Sequence, residues 1–365
     1  MGRLLFDRVI RRLLPKEHEP GRGVENPMRK IGHKTEGERG TGPLPIRERS
    51  RRLRSALKAL AAGIPPRYIM RSGRLLGNLA YVLAVPYRRL IRRNLQFVHP
   101  EWTRRRINRY CRRNFQHYAI TLLENLQSAC LSAEDMRARF RVSGEEHLLR
   151  ALAPGKGVIV VSAHLGNFEM ALQYPVCCQQ RPMTGVAKKL RNRLLNRWIH
   201  GLRTRFGNKL IYKKEALPAM IKTLRRGELL GILVDQSRYK LAYDVVFWGR
   251  KATMTYAPAL LARRCKSPIL PIFCFRRADG LLAIRIEPPL DLHKTRDLRA
   301  DLQINTQQIA AVVENAIRRC PEQWFWYLKH FKKHYPDLYS EIATRRQRQK
   351  LAKHLARSKT SPPPA

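Results

Sequence analysis

The chain has 365 residues, with 73 basic against 27 acidic side chains and a formal net charge of +46. Such a field selects anionic partners (a membrane, an acidic carrier protein or nucleic acid) without choosing a fold, and 44% hydrophobic residues leave enough apolar material for a sizeable core. Seven cysteines without a C-x2-C spacing argue against a zinc site or a disulfide framework and for reduced thiols.

In chain order, Met1 to Leu14 reads as a short basic amphipathic helix, and Lys16 to Ile46 as a charged, Gly- and Pro-rich linker with no apolar period. Residues 1–50 are thus a basic, largely disordered extension. Residues 51–135 form a helical region. In it Ile69, Leu75, Leu76, Leu79, Ala80, Leu83 and Ala84 make an apolar face flanked by Arg67, Arg71, Arg74, Arg88, Arg89, Arg92 and Arg93. Apolar stripe and arginine flanks together suit a headgroup interface; the alternative is a core-packing helix. The run Leu75 to Tyr87, interrupted by Gly77, Asn78 and Pro86, is shorter than the roughly 20 residues a spanning helix needs. The expectation is a chain that lies on a membrane, peripheral or monotopic. One or two further helices fill residues 101–132, with Phe115, Tyr118, Leu122, Leu123 and Leu126 inward.

Residues 136–340 then alternate. Strands are expected at Gly157–Ser162, Met183–Ala187, Leu210–Tyr212, Leu229–Val234 and Ile269–Arg276, the last with a hairpin partner at Leu281–Ile286. Helices are expected at Phe168–Gln179, Asn192–Phe206, Leu217–Arg226, Tyr256–Arg264 and Leu302–Arg319. This pattern predicts the α/β class: a mainly parallel central sheet covered by helices on both faces, with the N-terminal helices at a membrane interface. Residues 341–365 read as a basic disordered tail.

The chemistry concentrates after the apolar run Val158-Ile159-Val160-Val161, where His164-Leu165-Gly166-Asn167-Phe168-Glu169 follows at the strand end. Ligands collect at the carboxyl ends of strands in α/β proteins. A histidine and a carboxylate supply a general base and a group to orient it. On one helix five residues rotate about 500°, so His164 and Glu169 meet only if His164 lies in the strand-to-helix turn. Gly166 permits that turn, and Asn167 is a good N-cap. Backbone and side-chain donors at Gly166 and Asn167 are candidates for an oxyanion. A buried structural histidine is the competing interpretation of His164.

The same order of motifs resembles the bacterial lipid A biosynthesis acyltransferases, relatives of the glycerolipid acyltransferases. The resemblance rests on His164 and Glu169, Val186-Ala187-Lys188-Lys189-Leu190-Arg191-Asn192, Arg203-Thr204-Arg205-Phe206-Gly207, and Gly231-Ile232-Leu233-Val234-Asp235-Gln236. It continues through Phe247-Trp248-Gly249, Ala252-Thr253, Pro258 to Arg263 and Pro268 to Phe273, and closes on Gln323-Trp324-Phe325-Trp326, covering roughly residues 70 to 335. Lys188 stands where an Arg is common, Tyr256 replaces an expected Gly, and Ser237 follows the Asp-Gln pair where an acid is frequent. The family often carries one N-terminal spanning segment; none is expected here, a further departure.

The resemblance implies O-acyl transfer from acyl-carrier protein, or acyl-CoA, to a hydroxyl of an anionic glycolipid such as a lipid A precursor of lipopolysaccharide. It places the enzyme at the cytoplasmic face of the inner membrane. His164 and Glu169 are the expected catalytic dyad. Asn167, Lys188, Arg203, Asp235 and Gln236 are the expected substrate-binding residues, Arg203 because its planar fork suits phosphate. Taken alone, Arg203 could be a solvated surface charge and Asp235 a turn cap. The block Trp324 to Tyr327 reads as a core plug, with an interfacial anchor as the alternative. No metal and no cofactor are expected. Another lipid acceptor (a lysophospholipid or a mannoside lipid) remains open, as does a non-enzymatic nucleic-acid-binding role; against the last, no RNP-like, zinc or helix-turn-helix pattern is present.

Overall fold

The computed structural model describes residues 58–212, 216–236 and 242–342. The expected N-terminal helix and linker, Ser237 and the C-terminal tail lie outside the described residues. Residues 1–61 form a unit of their own, and a second unit, which holds every element named below, runs from residue 62 to the end of the chain.

Three long helices come first: α1 (Pro66–Leu83), α2 (Val85–Val98) and α3 (Arg104–Ser128). Proline at the start of α1 and α2 uses its fixed φ where no amide partner is needed, and the Thr103 hydroxyl caps α3 by accepting from the Arg106 amide. Helix α1 does not bury the expected apolar stripe. It turns Ile69, Met70, Gly73 and Gly77 inward. A Cβ on Gly77 would lie 2.4 Å from the Gln116 Cα, so only glycine lets α1 and α3 approach this closely. Leu75, Leu79 and Leu83 are left 71%, 56% and 69% exposed.

Helix α3 also departs from expectation. Phe115 is buried, but so are Asn114, His117, Thr121, Glu124 and Gln127, while Leu122 is exposed. A polar face is tolerated inside only where each group finds a partner: Asn114 meets the Glu322 and Trp324 carbonyls, His117 and Glu124 meet the Gly166–Asn167 turn and Arg276, Thr121 meets Arg276, and Gln127 meets the Ile64 carbonyl and Arg139.

The alternating part adds α4 (Ala133–Ala138), β1 (Phe140–Ser143), α5 (Glu145–Leu152), β2 (Val158–Ser162), α6 (Phe168–Ala171), α7 (Tyr174–Gln179), β3 (Met183–Ala187), α8 (Arg193–Thr204), β4 (Lys209–Tyr212), α9 (Ala216–Arg225) and β5 (Leu229–Leu233). After them come β6 (Ala242–Phe247), β7 (Arg250–Thr255), α10 (Ala257–Cys265), β8 (Ile269–Arg276), β9 (Leu282–Ile286) and α11 (Leu298–Arg319). The helix expected over Phe168–Gln179 is two short ones, the second opening with Pro175 near its start. The strand β1 and the antiparallel pair β6–β7 had no clear sequence signal.

Seven strands form one sheet in the order β1-β9-β8-β2-β5-β3-β4, with β8–β9 the one antiparallel pairing among its described strands. Strand β2 is central. Val158 and Val160 enter one core with Met136, Leu148 and Tyr174; Ile159 and Val161 enter another with Phe115, Leu224, Leu261 and Val313. Successive side chains of a strand point to opposite faces, so helices cover both faces of the sheet. Each such fully buried side chain stabilises the fold by roughly 1.5–3 kcal/mol.

Candidate active site

The register of the sheet builds the site. Ser162 of β2 pairs with Leu233 of the neighbouring β5, and the Val234 amide donates to the Ser162 carbonyl. Two residues further along each parallel strand, His164 and Asp235 therefore come side by side. His164 Nδ1 lies 2.6 Å from Asp235 Oδ1, and the His164 backbone N–H donates to Oδ2 at 2.9 Å. The Trp324 indole N–H donates to the same Oδ2 at 2.8 Å.

The Asp235 side chain is fully buried. Burial alone would raise its pKa, but the adjoining His164, through charge and hydrogen bond, together with His330 and the Trp324 N–H, brings it down to about 2. An ionised carboxylate only accepts, so Nδ1 is the nitrogen that donates to it, and in the neutral imidazole the lone pair is on Nε2. The Gln236 amide nitrogen is 3.2 Å from that Nε2.

Glu169 does not orient His164. Both of its oxygens accept from Arg203, Nε to Oε2 at 2.7 Å and Nη2 to Oε1 at 2.5 Å, a half-buried fork at the end of α8. The expected His164–Glu169 pairing is corrected: the first turn of α6 swings Glu169 toward α8, and the carboxylate next to His164 comes from the adjacent strand. Arg203, expected as a substrate-phosphate ligand, has a carboxylate partner in Glu169.

Asn167 is corrected too. It is fully buried; its side-chain oxygen accepts from the Met170 amide as the cap of α6, and its side-chain amide donates to Glu124 at 2.7 Å. Its side chain exposes no group to a substrate. The Gly166 N–H donates to the Gln323 carbonyl, so the expected oxyanion donors at this turn are spent. Gly166 itself is required, with φ +59° and a Cβ position 2.0 Å from the Cys274 carbonyl oxygen. Lys188 is exposed just past β3, at the same carboxyl end of the sheet, and forms no ion pair among the described residues.

The block at 324–327 divides by alternation. Trp324 and Trp326 are fully buried. Leu165 and Trp324 form a bridge, and the Phe325 amide donates to the His164 carbonyl. That pairing sets the Phe325 ring 5.3 Å from the His164 ring, with Phe168 4.9 Å away on another side. Tyr118 and Tyr327 extend the wall, their ring centroids 4.9 and 5.0 Å from Phe325. The core expectation holds for the two tryptophans, but the sequence carried no sign that Trp324 also holds Asp235. His330, half-buried and stacked on Trp324, was likewise not anticipated. A buried indole nearly always has a partner for its N–H; that rule was the one available hint.

Chemically, the arrangement is an imidazole anchored through Nδ1 to a carboxylate, with Nε2 on its other side, beside an aromatic wall and a guanidinium–carboxylate pair. A general base for a hydroxyl acceptor fits it.

The chain matches the model of the bacterial lipid A biosynthesis acyltransferases over residues 53–333. It is 26% identical over 282 residues to the lipid A biosynthesis lauroyltransferase of Escherichia coli (strain K12), covering 75% of this chain and 88% of that one. To the lipid A biosynthesis palmitoleoyltransferase of the same organism it is 24% identical over 246 residues, 67% of this chain and 78% of that one. It is also similar to the phosphatidylinositol mannoside acyltransferase of Mycobacterium tuberculosis (strain CDC 1551 / Oshkosh), 24% identical over 187 residues, half of this chain and 57% of that one.

Proposed function

This chain belongs to the bacterial lipid A biosynthesis acyltransferase family and is an acyltransferase with a lipid acceptor, and from that membership we propose that it moves a fatty acyl chain from acyl-carrier protein, or acyl-CoA, to a hydroxyl of an anionic glycolipid, a lipid A precursor. The observation that carries the mechanism is the 2.6 Å contact of Asp235 with His164 Nδ1. It leaves Nε2 as the base. As the acceptor oxygen attacks the thioester carbonyl, Nε2 takes its proton. The tetrahedral oxyanion then collapses, the C–S bond breaks, and the imidazolium returns the proton to the leaving thiolate. Asp235 stabilises the imidazolium between these steps. The Gln236 amide, 3.2 Å from Nε2, would give up that contact to the acceptor hydroxyl and donate to the oxyanion instead. Phe168, Phe325, Tyr118 and Tyr327 offer the acyl chain an apolar wall.

Arg203 and Lys188 would meet the acceptor's phosphate, with Glu169 aiming the Arg203 fork rather than serving the base. The exposed Leu75, Leu76, Leu79, Val82, Leu83 and Tyr87, beside Arg71 and Arg74, would lie in the headgroup region of the cytoplasmic face of the inner membrane. No described helix is long and apolar enough to cross a membrane. A mannoside lipid acceptor is a second possibility, favoured by the mannoside-acyltransferase relatives.

Purified protein supplied with labelled acyl-carrier protein thioester and either a phosphorylated glucosamine lipid or a phosphatidylinositol mannoside decides between the two acceptors by mass spectrometry of the products. Transfer to the first alone supports the main proposal, and transfer to neither defeats both.

A further inference from the structure

Behind the His164 turn lies a buried ionic network that makes no contact with Arg203 and meets the acyl wall only where the His117 ring stands edge-on to Tyr118. Helix α3 presents His117, Thr121 and Glu124 on one face, one helical turn apart. Arg276, the last residue of β8, reaches across to all three. Its Nε donates to Glu124 Oε1 at 2.6 Å and its Nη2 to Glu124 Oε2 at 2.5 Å; Nη2 also donates to the Thr121 hydroxyl at 2.8 Å, and Nη1 to His117 Nδ1. Arg276, Glu124, His117 and Thr121 are all buried.

Three contacts run from this cluster to the turn that follows His164. Glu124 Oε2 accepts from the Asn167 amide at 2.7 Å. His117 Nε2 donates to the Gly166 carbonyl at 3.2 Å. Gln323 is tied to the Arg276 backbone at both ends of its amide, 2.8 and 3.0 Å, and its carbonyl accepts the Gly166 N–H at 3.0 Å. Gly166 and Asn167 are thus held from three directions, each passing through Arg276 or its direct partner.

Stability does not account for the arrangement. Desolvating two charges costs about what their attraction returns, and apolar residues of similar volume commonly serve a core as well or better. What an ionic fork supplies is direction, because its hydrogen bonds have one geometry. We propose that Glu124 and Arg276 are positioning residues for acyl transfer: their ion pair fixes the Gly166–Asn167 turn and thereby the placement of His164 against Asp235 and the acceptor. The proposal rests on His164 being the base. A displacement near 1 Å at such a group costs on the order of 10²-fold in rate.

The test uses full-length Glu124→Gln, Arg276→Lys and Asn167→Ser. Arg276→Lys keeps the charge but loses the fork. Asn167→Ser keeps the cap of α6 and removes only the amide to Glu124, so it decides the matter should either charged variant fail to fold. Each is assayed for kcat and KM and, with 15N-labelled histidine, for the His164 imidazole resonances by NMR. The expected result is kcat lower by about 10-fold or more, KM for both substrates within a factor of about two, and His164 nitrogen shifts moved toward mixed tautomers. Unchanged kcat per folded molecule with unchanged His164 resonances, only the melting temperature falling, overturns the proposal. Full activity of His164→Ala would instead overturn the reading of the base on which it rests.

Discussion

Asp235 and His164 lie 71 residues apart in sequence and 2.6 Å apart in space, Oδ1 to Nδ1, while Glu169, five residues from His164, spends both oxygens on Arg203. The pairing follows from β2 and β5 being parallel neighbours in register, so that the residues two places past Ser162 and Leu233 share one end of the sheet. It separates two carboxylates into two jobs, and the separation can be measured.

Asp235→Asn should keep the side-chain volume but reverse the logic of the hydrogen bond. The amide can donate to Nδ1, which pushes the proton to Nε2 and removes the base. A loss of roughly 10³- to 10⁴-fold in kcat is expected, as in hydrolase triads. His164→Ala should cost roughly 10²-fold or more, and the pair should not be additive, since the two act as a unit. Turnover of Asp235→Asn within a few-fold of wild type would remove Asp235 from the mechanism.

Glu169 and Arg203 should behave differently. Charge-assisted bonds of this kind contribute about 1.5–3 kcal/mol, so Arg203→Ala is expected to raise the acceptor KM by about 10- to 100-fold, with a smaller effect on kcat. Glu169→Gln should raise KM less, because Arg203 remains but is no longer aimed. Combining both changes should be no worse than Arg203→Ala alone, the signature of one pair. A Glu169→Gln enzyme that loses kcat as severely as His164→Ala would return Glu169 to the chemistry.

Two desolvated histidines predict where acid begins to unfold the protein. Burial lowers the pKa of both His117 and His330; the Arg276 charge lowers His117 further. Below the unfolded value of 6.5 the unfolded chain binds protons that the folded chain refuses. Stability is therefore complete above about pH 6.5 and falls as pH drops, by up to roughly 1.4 kcal/mol per pH unit for each histidine. Asp235, held near 2 from an ordinary 3.8, adds a later loss between those values, also on acidification. Urea midpoints should decline from pH 6.5 to 5, and less steeply in His330→Asn. A flat profile over that interval would contradict the lowered pKa of these rings.

The sequence carried some of this plainly. Val158 to Val161 and Leu229 to Leu233 are short apolar runs, and such runs announce buried parallel strands. Placing His164 and Asp235 at strand ends followed from the same runs. Which carboxylate serves His164 did not, because that depends on β5 lying beside β2 with β3 outside it, and strand order leaves no local pattern. Spacing favoured the near neighbour, Glu169, and tertiary pairing supplied the distant one. Helix α3 misled for a related reason: Leu122 and Leu123 promised an apolar inward face, whereas His117, Thr121 and Glu124 are the buried ones, matched to Arg276 from β8. A partner from a remote strand is what makes a polar face buriable, and it cannot be read from the helix.

Membrane attachment offers a test that leaves the site untouched. On α1 the glycines face α3 and the leucines face outward, so Leu79 and Leu83 contribute no core contact that a charge would break. Leu79→Glu with Leu83→Glu should leave the folded protein's melting temperature nearly unchanged and weaken binding to vesicles containing anionic lipid. The lost transfer of two leucines alone is worth roughly 3–6 kcal/mol at full burial, enough for a 10²-fold or greater drop in partitioning. High salt should release only part of the wild-type protein, since it screens the attraction of flanking arginines but not apolar insertion. Turnover on detergent-dispersed acceptor should survive in the variant while turnover on vesicle-embedded acceptor falls. If wild-type protein does not sediment with anionic vesicles at all, the leucine face of α1 is not a membrane surface, and the acceptor must reach His164 from elsewhere.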